Sequence, residues 1–170
     1  MGFLSLMFLN VPDASANGRF PRSTNISFDP NDASLMLVPA TFGLLVSKDS
    51  GQTFNWVSEE TVGYGGVYDP DYAIGSQGEI YATTFDGLKR STDGAKSFQN
   101  MNFFNPETPS VLLESIWVSQ VEVASDGAIW ATTSTGGEPN GVYKSTNGTD
   151  FFSAGPVSYT HLTLPTICSV

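Results

Sequence analysis

Residues 43–54 read Gly43-Leu44-Leu45-Val46-Ser47-Lys48-Asp49-Ser50-Gly51-Gln52-Thr53-Phe54. A short apolar run enters a polar turn and leaves it through a threonine and an aromatic. This order predicts a β-hairpin, in which two strands flank a turn of hydrogen-bonding side chains and a glycine. The same phrase returns at Gly87 to Phe98 (G-L-K-R-S-T-D-G-A-K-S-F) and at Gly141 to Phe152 (G-V-Y-K-S-T-N-G-T-D-F-F). One hairpin written three times decides the fold and says much less about function.

The residue types have local reasons. An Asp or Asn side chain accepts hydrogen bonds from amides just ahead of it and so holds a turn. Glycine supplies positive φ without steric cost. The aromatic is expected to anchor the turn against the core. The first copy carries Ser47, Asp49, Gly51, Thr53 and Phe54. The second carries Ser91, Asp93, Ser97 and Phe98, with Ala95 at the glycine place and Gly94 one place early. The third keeps Ser145, with Asn147 for the aspartate, Thr149 at the glycine place, Phe151 at the Thr/Ser place and Phe152 at the aromatic one. These residues are read as turn-formers, and none as catalytic.

The pattern Ser-x-Asp-x-Gly-x-Thr/Ser-aromatic resembles the Asp-box, or BNR repeat. That repeat occurs in sialidases, xyloglucan-active glycoside hydrolases, sortilin-type receptors and photosystem II assembly factors. The resemblance implies an all-β fold, a β-propeller whose box hairpins lie away from the active face. Asp49, Asp93 and Asn147 stand 44 and 54 residues apart, which are blade periods with the longer one taken up by loops. About three four-stranded blades are expected, over 17–58, 70–103 and 117–156. Strands are expected around Ile26 to Phe28, Leu35 to Val38, Tyr72 to Ile74, Ile80 to Thr83, Val121 to Ala124 and Ile129 to Thr132. Three blades do not close a ring, since propellers run from about four to eight. The expectation is therefore a fragment of a larger propeller.

Composition narrows the function classes. A formal charge of −10, a pI near 4.2 and only seven Lys and Arg cannot make a broad phosphate-binding face, which argues against nucleic acid. Phe3 to Val11 is an apolar run followed by Ala14-Ser15-Ala16, so residues 1–16 read as a shortened secretory signal without its basic start. The other reading is a first core strand. Either way the run is too short to span a bilayer. Export to a bacterial periplasm, cell surface or medium is the expectation. Val157 to Thr166 resembles a translated sequencing adaptor, so 157–170 are set aside as a scar. They contain His161 and Cys168, the chain's one histidine and one cysteine. Without them a Ser-His-Asp or Cys-His nucleophile, or a His/Cys zinc site, cannot be built from the rest.

The richest stretch for binding is the connection from Trp56 to Tyr72, W-V-S-E-E-T-V-G-Y-G-G-V-Y-D-P-D-Y. It sets Glu59, Glu60, Asp69 and Asp71 beside Trp56, Tyr64, Tyr68 and Tyr72. Carboxylates beside aromatics supply acid–base groups and stacking faces, as a carbohydrate site requires. A solvated loop whose tyrosines pack on the blade is the other reading. Asp69-Pro70-Asp71 offers two carboxylates where Ca²⁺ takes six or more oxygens, so no metal and no cofactor are expected. Sialidase chemistry needs several arginines, and only Arg19, Arg22 and Arg90 are present, without the Phe/Tyr-Arg-Ile-Pro segment. The expected function is an exported Asp-box propeller serving as a binding or scaffold module for carbohydrate or a cell-surface partner. A glycoside hydrolase with part of its site elsewhere, and a protein-binding assembly or receptor-like propeller, are the alternatives.

Overall fold

The computed structural model describes residues 18–113, 115–136 and 140–156. The proposed signal at 1–16 and the proposed scar at 157–170 lie outside them. Among the described residues, thirteen strands form three sheets, with one helical turn between the first and second. The first holds β1 (Ser27–Phe28), β2 (Met36–Ala40), β3 (Gly43–Ser47) and β4 (Asn55–Val57), in that order. The second holds β5 (Tyr72–Ile74), β6 (Ile80–Thr84), β7 (Gly87–Ser91) and β8 (Gln99–Asn100). The third runs β10 (Val118–Val123), β11 (Ile129–Thr133), β12 (Gly141–Ser145), β13 (Asp150–Pro156), and then β9 (Asn102–Phe103). Up-and-down antiparallel sheets stacked side by side make the chain a partial β-propeller.

The strand sequences explain the stacking. In β5 and β6 every residue is buried. Tyr72, Ile74, Ile80 and Ala82 face a core shared with Leu37, Leu44 and Val46 of the first sheet. Their alternate neighbours Ala73 and Tyr81 face a second core with Val121, Ala131, Tyr143 and Phe151 of the third. A strand covered on both faces reads as a continuous apolar run, because successive side chains point opposite ways. In β11, with one face covered, burial alternates: Ile129 and Ala131 are inside, while Trp130 and Thr132 are only half-buried. The middle sheet thus serves both cores.

The three repeated turns share one register. Ser47, Ser91 and Ser145 pair across their hairpins with Met36, Ile80 and Ile129, and all three are buried. A buried hydroxyl needs partners. Ser47 Oγ donates to Asp49 Oδ1 at 2.8 Å and accepts from Gly51 N at 2.9 Å. Asp49 then accepts from Thr53 N at 2.9 Å and Thr53 Oγ1 at 2.6 Å. Asp93 repeats this with Ser91, Ser97 N and Ser97 Oγ at 2.8, 3.0 and 2.6 Å. Both turns contain two successive positive-φ residues, Ser50-Gly51 and Gly94-Ala95. A glycine at either place relieves one of the two, which is why it slides by one position between the copies.

The third turn is one residue shorter than the sequence alignment supposes. Gly148, not Thr149, takes the positive-φ place and donates its N–H to Ser145 Oγ at 2.9 Å. Asp150 takes the Thr/Ser place with reversed polarity: Asn147 Nδ2 donates to its carboxylate at 2.9 Å. The residue that follows, Phe151, is fully buried, whereas Phe152 is 48% exposed. Phe54 is also largely exposed at 43%, so of the aromatics expected as anchors Phe98 alone packs against a core.

The pH response of these turns has a defined sign. Hydrogen bonds from Thr53 and Ser47 push the Asp49 carboxyl down to about 2, and those from Ser97 and Ser91 push Asp93 lower still. A carboxyl whose folded pKa lies below its ordinary value of about 4 contributes stability above that value. The contribution is lost as pH falls towards the folded pKa. We expect the melting temperature to drop between pH about 4 and about 2, and to drop less in Asp49→Asn/Asp93→Asn, since Asn147 already fills that place. Circular dichroism melts across that window check it. The residual acid sensitivity belongs to Asp32, Asp69, Glu79 and Asp150, all held low.

Candidate functional site

The connection between the first two sheets begins with a structured turn. Ser58 caps a single helical turn, α1 (Glu59–Val62), by accepting from Thr61 N at 3.2 Å, and Gly63 closes it at φ 94. Glu59 and Glu60 therefore sit in the first turn of a four-residue helix, where carboxylates suit the exposed N–H groups. Val62 is buried in the core between the first two sheets.

Beyond α1 the connection is pinned to its surroundings. Arg19 grips Asp69 with both terminal nitrogens, at 2.6 and 2.7 Å, and also donates to the Tyr68 carbonyl at 3.1 Å. That fork holds the Asp69 carboxyl below its ordinary range. Asp71 accepts from its neighbour Tyr72 N and from Val121 N of β10, each at 3.0 Å. Its own N–H donates to Thr83 Oγ1 at 2.8 Å. One aspartate thereby ties the second sheet to the third. Both aspartates read as acid–base candidates are engaged in holding backbone and cation.

Four aromatic rings form a continuous row along this end of the sheets. Tyr64 meets Tyr68 edge-on at 6.1 Å, Tyr68 meets Phe85 at 4.3 Å, and Phe85 meets Trp117 at 4.9 Å. Tyr64 and Tyr68 come from the connection, Phe85 from the β6–β7 turn, and Trp117 from the approach to β10. The Tyr68 hydroxyl lies 3.0 Å from Thr83 Oγ1 and 3.3 Å from the Val118 carbonyl, which fixes its ring. Phe85 is half exposed, so the row presents an open face. Burial pushes the Tyr64 phenol up to about 12, opposed by the Tyr72 hydroxyl and reinforced by the Glu59 charge. Burial also raises Tyr72, so both phenols are neutral at pH 7. Their hydroxyls interact without regular hydrogen-bond geometry.

The structure divides the sequence candidates between two places. Tyr64, Tyr68, Asp69, Asp71 and Tyr72 gather around the row and its supports. Trp56 does not join it. Its indole N–H donates to the Phe42 carbonyl at 2.9 Å, and its 62%-exposed ring lines a lateral groove between the first and second sheets. Phe85 and Trp117 were not singled out by the sequence, although each is an aromatic just before a strand at the same end of a blade. Arg90, expected only as one of the chain's few arginines, is not a free side chain. It bonds Glu79 at 2.9 Å, both partly buried, and lies over the Tyr81 ring at 5.9 Å. Among the described residues no group of three or more His, Cys, Asp or Glu could hold a metal ion, and no helix is long and apolar enough to cross a membrane.

No protein-family model matches the chain, and no curated protein matches it. Solved structures do. An ancestral GH74 enzyme aligns at a TM-score of 0.50 with 18% identity over 81% of this chain. The extracellular domain of BT4673 from B. thetaiotaomicron aligns at 0.52 with 14% identity over 83%. At these identities the likeness shows the fold, a propeller. The chain spans about a fifth of the length of these two structures, 19% and 20%.

Proposed function

We propose that this chain is an exported Asp-box (BNR-repeat) β-propeller module that binds carbohydrate on the aromatic rim. The observation that carries the reading is the row Tyr64–Tyr68–Phe85–Trp117, with ring-to-ring spacings of 6.1, 4.3 and 4.9 Å. Flat apolar faces packed against one another, with the Tyr68 ring fixed by its hydroxyl, suit the C–H faces of sugar rings, which a mobile loop would have to order on binding. The polar groups beside them are oriented too, because Arg19 and Asp69 fix one another. The Asp-box assignment draws support from the shared Ser–Asx hydrogen bonding of the three turns. Export draws on the sequence at 1–16, and its expectation is a protein recovered outside the cytoplasm.

Glycan-array screening of the full chain, followed by calorimetry on the best ligand, tests the rim. Phe85→Ala and Tyr64→Ala are each expected to weaken binding about tenfold, the equivalent of about 1.4 kcal/mol, at unchanged fold. Retention of a glycan with no effect of either variant would defeat the reading. Capture of a cell-surface protein with no glycan bound would move the assignment to a protein-binding rim. Turnover of the bound glycan would make the chain part of a glycoside hydrolase.

A further inference from the structure

The lateral groove beside Trp56 is separate from the rim. It measures about 530 Å³ and lies between the outer strand β4 and the repeated turn of the second sheet. Three features distinguish it. Its one large exposed surface is the Trp56 indole, held by the Phe42 carbonyl and backed by Gly43, where a Cβ would come within 2.9 Å of Trp56 Nε1. Its polar lining includes Asn55 and the Ser58–Thr61 hydroxyl pair, 2.9 Å apart. Its charge comes from Lys48 and Lys96.

In a protein of net charge −10, four of the seven Lys and Arg have anionic or aromatic partners: Arg19 with Asp69, Arg90 with Glu79, Lys89 with Asp86, Lys144 over Trp130. Among the described residues the ammonium groups of Lys48 and Lys96 have no hydrogen bond and no ion pair. Lys48 reaches from the first turn across to the second, where a Cβ at Gly94 would collide with its Nζ. The nearby Asp93 carboxylate is committed to Ser91, Ser97 and the Lys96 N–H.

We propose that this groove binds an acidic sugar unit, its ring on Trp56 and its anionic group between Lys48 and Lys96. An indole face with hydroxyl and amide groups around it favours a pyranose over an acidic peptide, which carries no comparable flat apolar face. The volume lies in the range of small-ligand sites, about 300–1,000 Å³. The proposal does not rest on the rim reading.

Calorimetry with a glucuronate-containing disaccharide, a sulfated disaccharide and the neutral glucose analogue tests it on the full chain. One or both acidic sugars are expected to bind at least about tenfold tighter than the neutral one, more so at low salt. Lys48→Glu/Lys96→Glu should abolish that preference, and Trp56→Phe should retain more affinity than Trp56→Ala. Lys144→Glu, a charge reversal over Trp130 in the third sheet and outside both groove and rim, should leave the preference unchanged. Equal binding of acidic and neutral sugars, indifference to the lysine reversal, or tighter binding of an oligo-aspartate peptide than of either acidic sugar would each overturn the assignment. Rim-dependent glycan binding without the acidic preference would sink the groove and spare the rim. The reverse pattern would sink the rim alone.

Discussion

Phe151→Ala is expected to lower the unfolding free energy by about 3–5 kcal/mol, measured from chemical denaturation midpoints. Phe151 is fully buried and stacks on Phe103 with centroids 4.8 Å apart and planes within 7°. Phe103 in turn meets Tyr143 edge-on at 5.1 Å. Removing the ring leaves a cavity that rigid neighbouring sheets cannot collapse to fill. Domains of this size hold about 5–15 kcal/mol in all, so the loss is a large share. It also loosens β9, whose Phe103 pairs in parallel with Phe151. Phe152→Ala is the control. That ring is half exposed and stacks on Phe104 at 4.7 Å, so its loss should cost about 1 kcal/mol. Equal effects would mean that the buried stack is not what holds the third sheet.

Gly43→Ala is expected to cost about 3 kcal/mol or more, while Gly87→Ala at the equivalent place of the next repeat costs about 1–2. Both glycines open the third strand of their sheet at positive φ, 127° and 106°, where any other residue is strained by about 1–3 kcal/mol. The surroundings differ. A Cβ on Gly43 would strike the Val57 carbonyl, a backbone atom of β4 that cannot swing aside, and overpacking adds about 1–3 kcal/mol. A Cβ on Gly87 would meet nothing within 4 Å. Denaturation of the two variants side by side separates the contact from the φ strain. If they fall together, the clash is relieved by strand movement and φ alone decides.

The hairpins were legible because their cause is local: Ser, Asx, Gly and Thr within seven residues make each other's hydrogen bonds. The order of strands within each sheet followed from those hairpins. What escaped was set by distance or by brevity. Asn102 and Phe103, placed at the end of the second blade by their period, pair with Asp150 and Phe151 in the third sheet. A two-residue parallel strand has no periodicity to read. The helical turn at Glu59–Val62 left a signal, Ser58 before two glutamates with Gly63 after, but four residues are too few for an apolar stripe. The connection was recognised as the stretch richest in aromatics and carboxylates. Its division could not be read, because Trp56 belongs to a strand edge and Arg19, a partner fifty residues away, decides what Asp69 does.

The strand β9 sets how the repeats can be separated. The outer side of the third sheet is completed by residues that the chain lays down before that sheet begins. A cut at the sequence period, near residue 117, would hand the downstream piece a bare outer strand and strip Phe151 of its stacking partner. A piece that keeps the third sheet whole must therefore begin upstream of Asn102, inside the second repeat. These repeats are copies in sequence without being interchangeable parts.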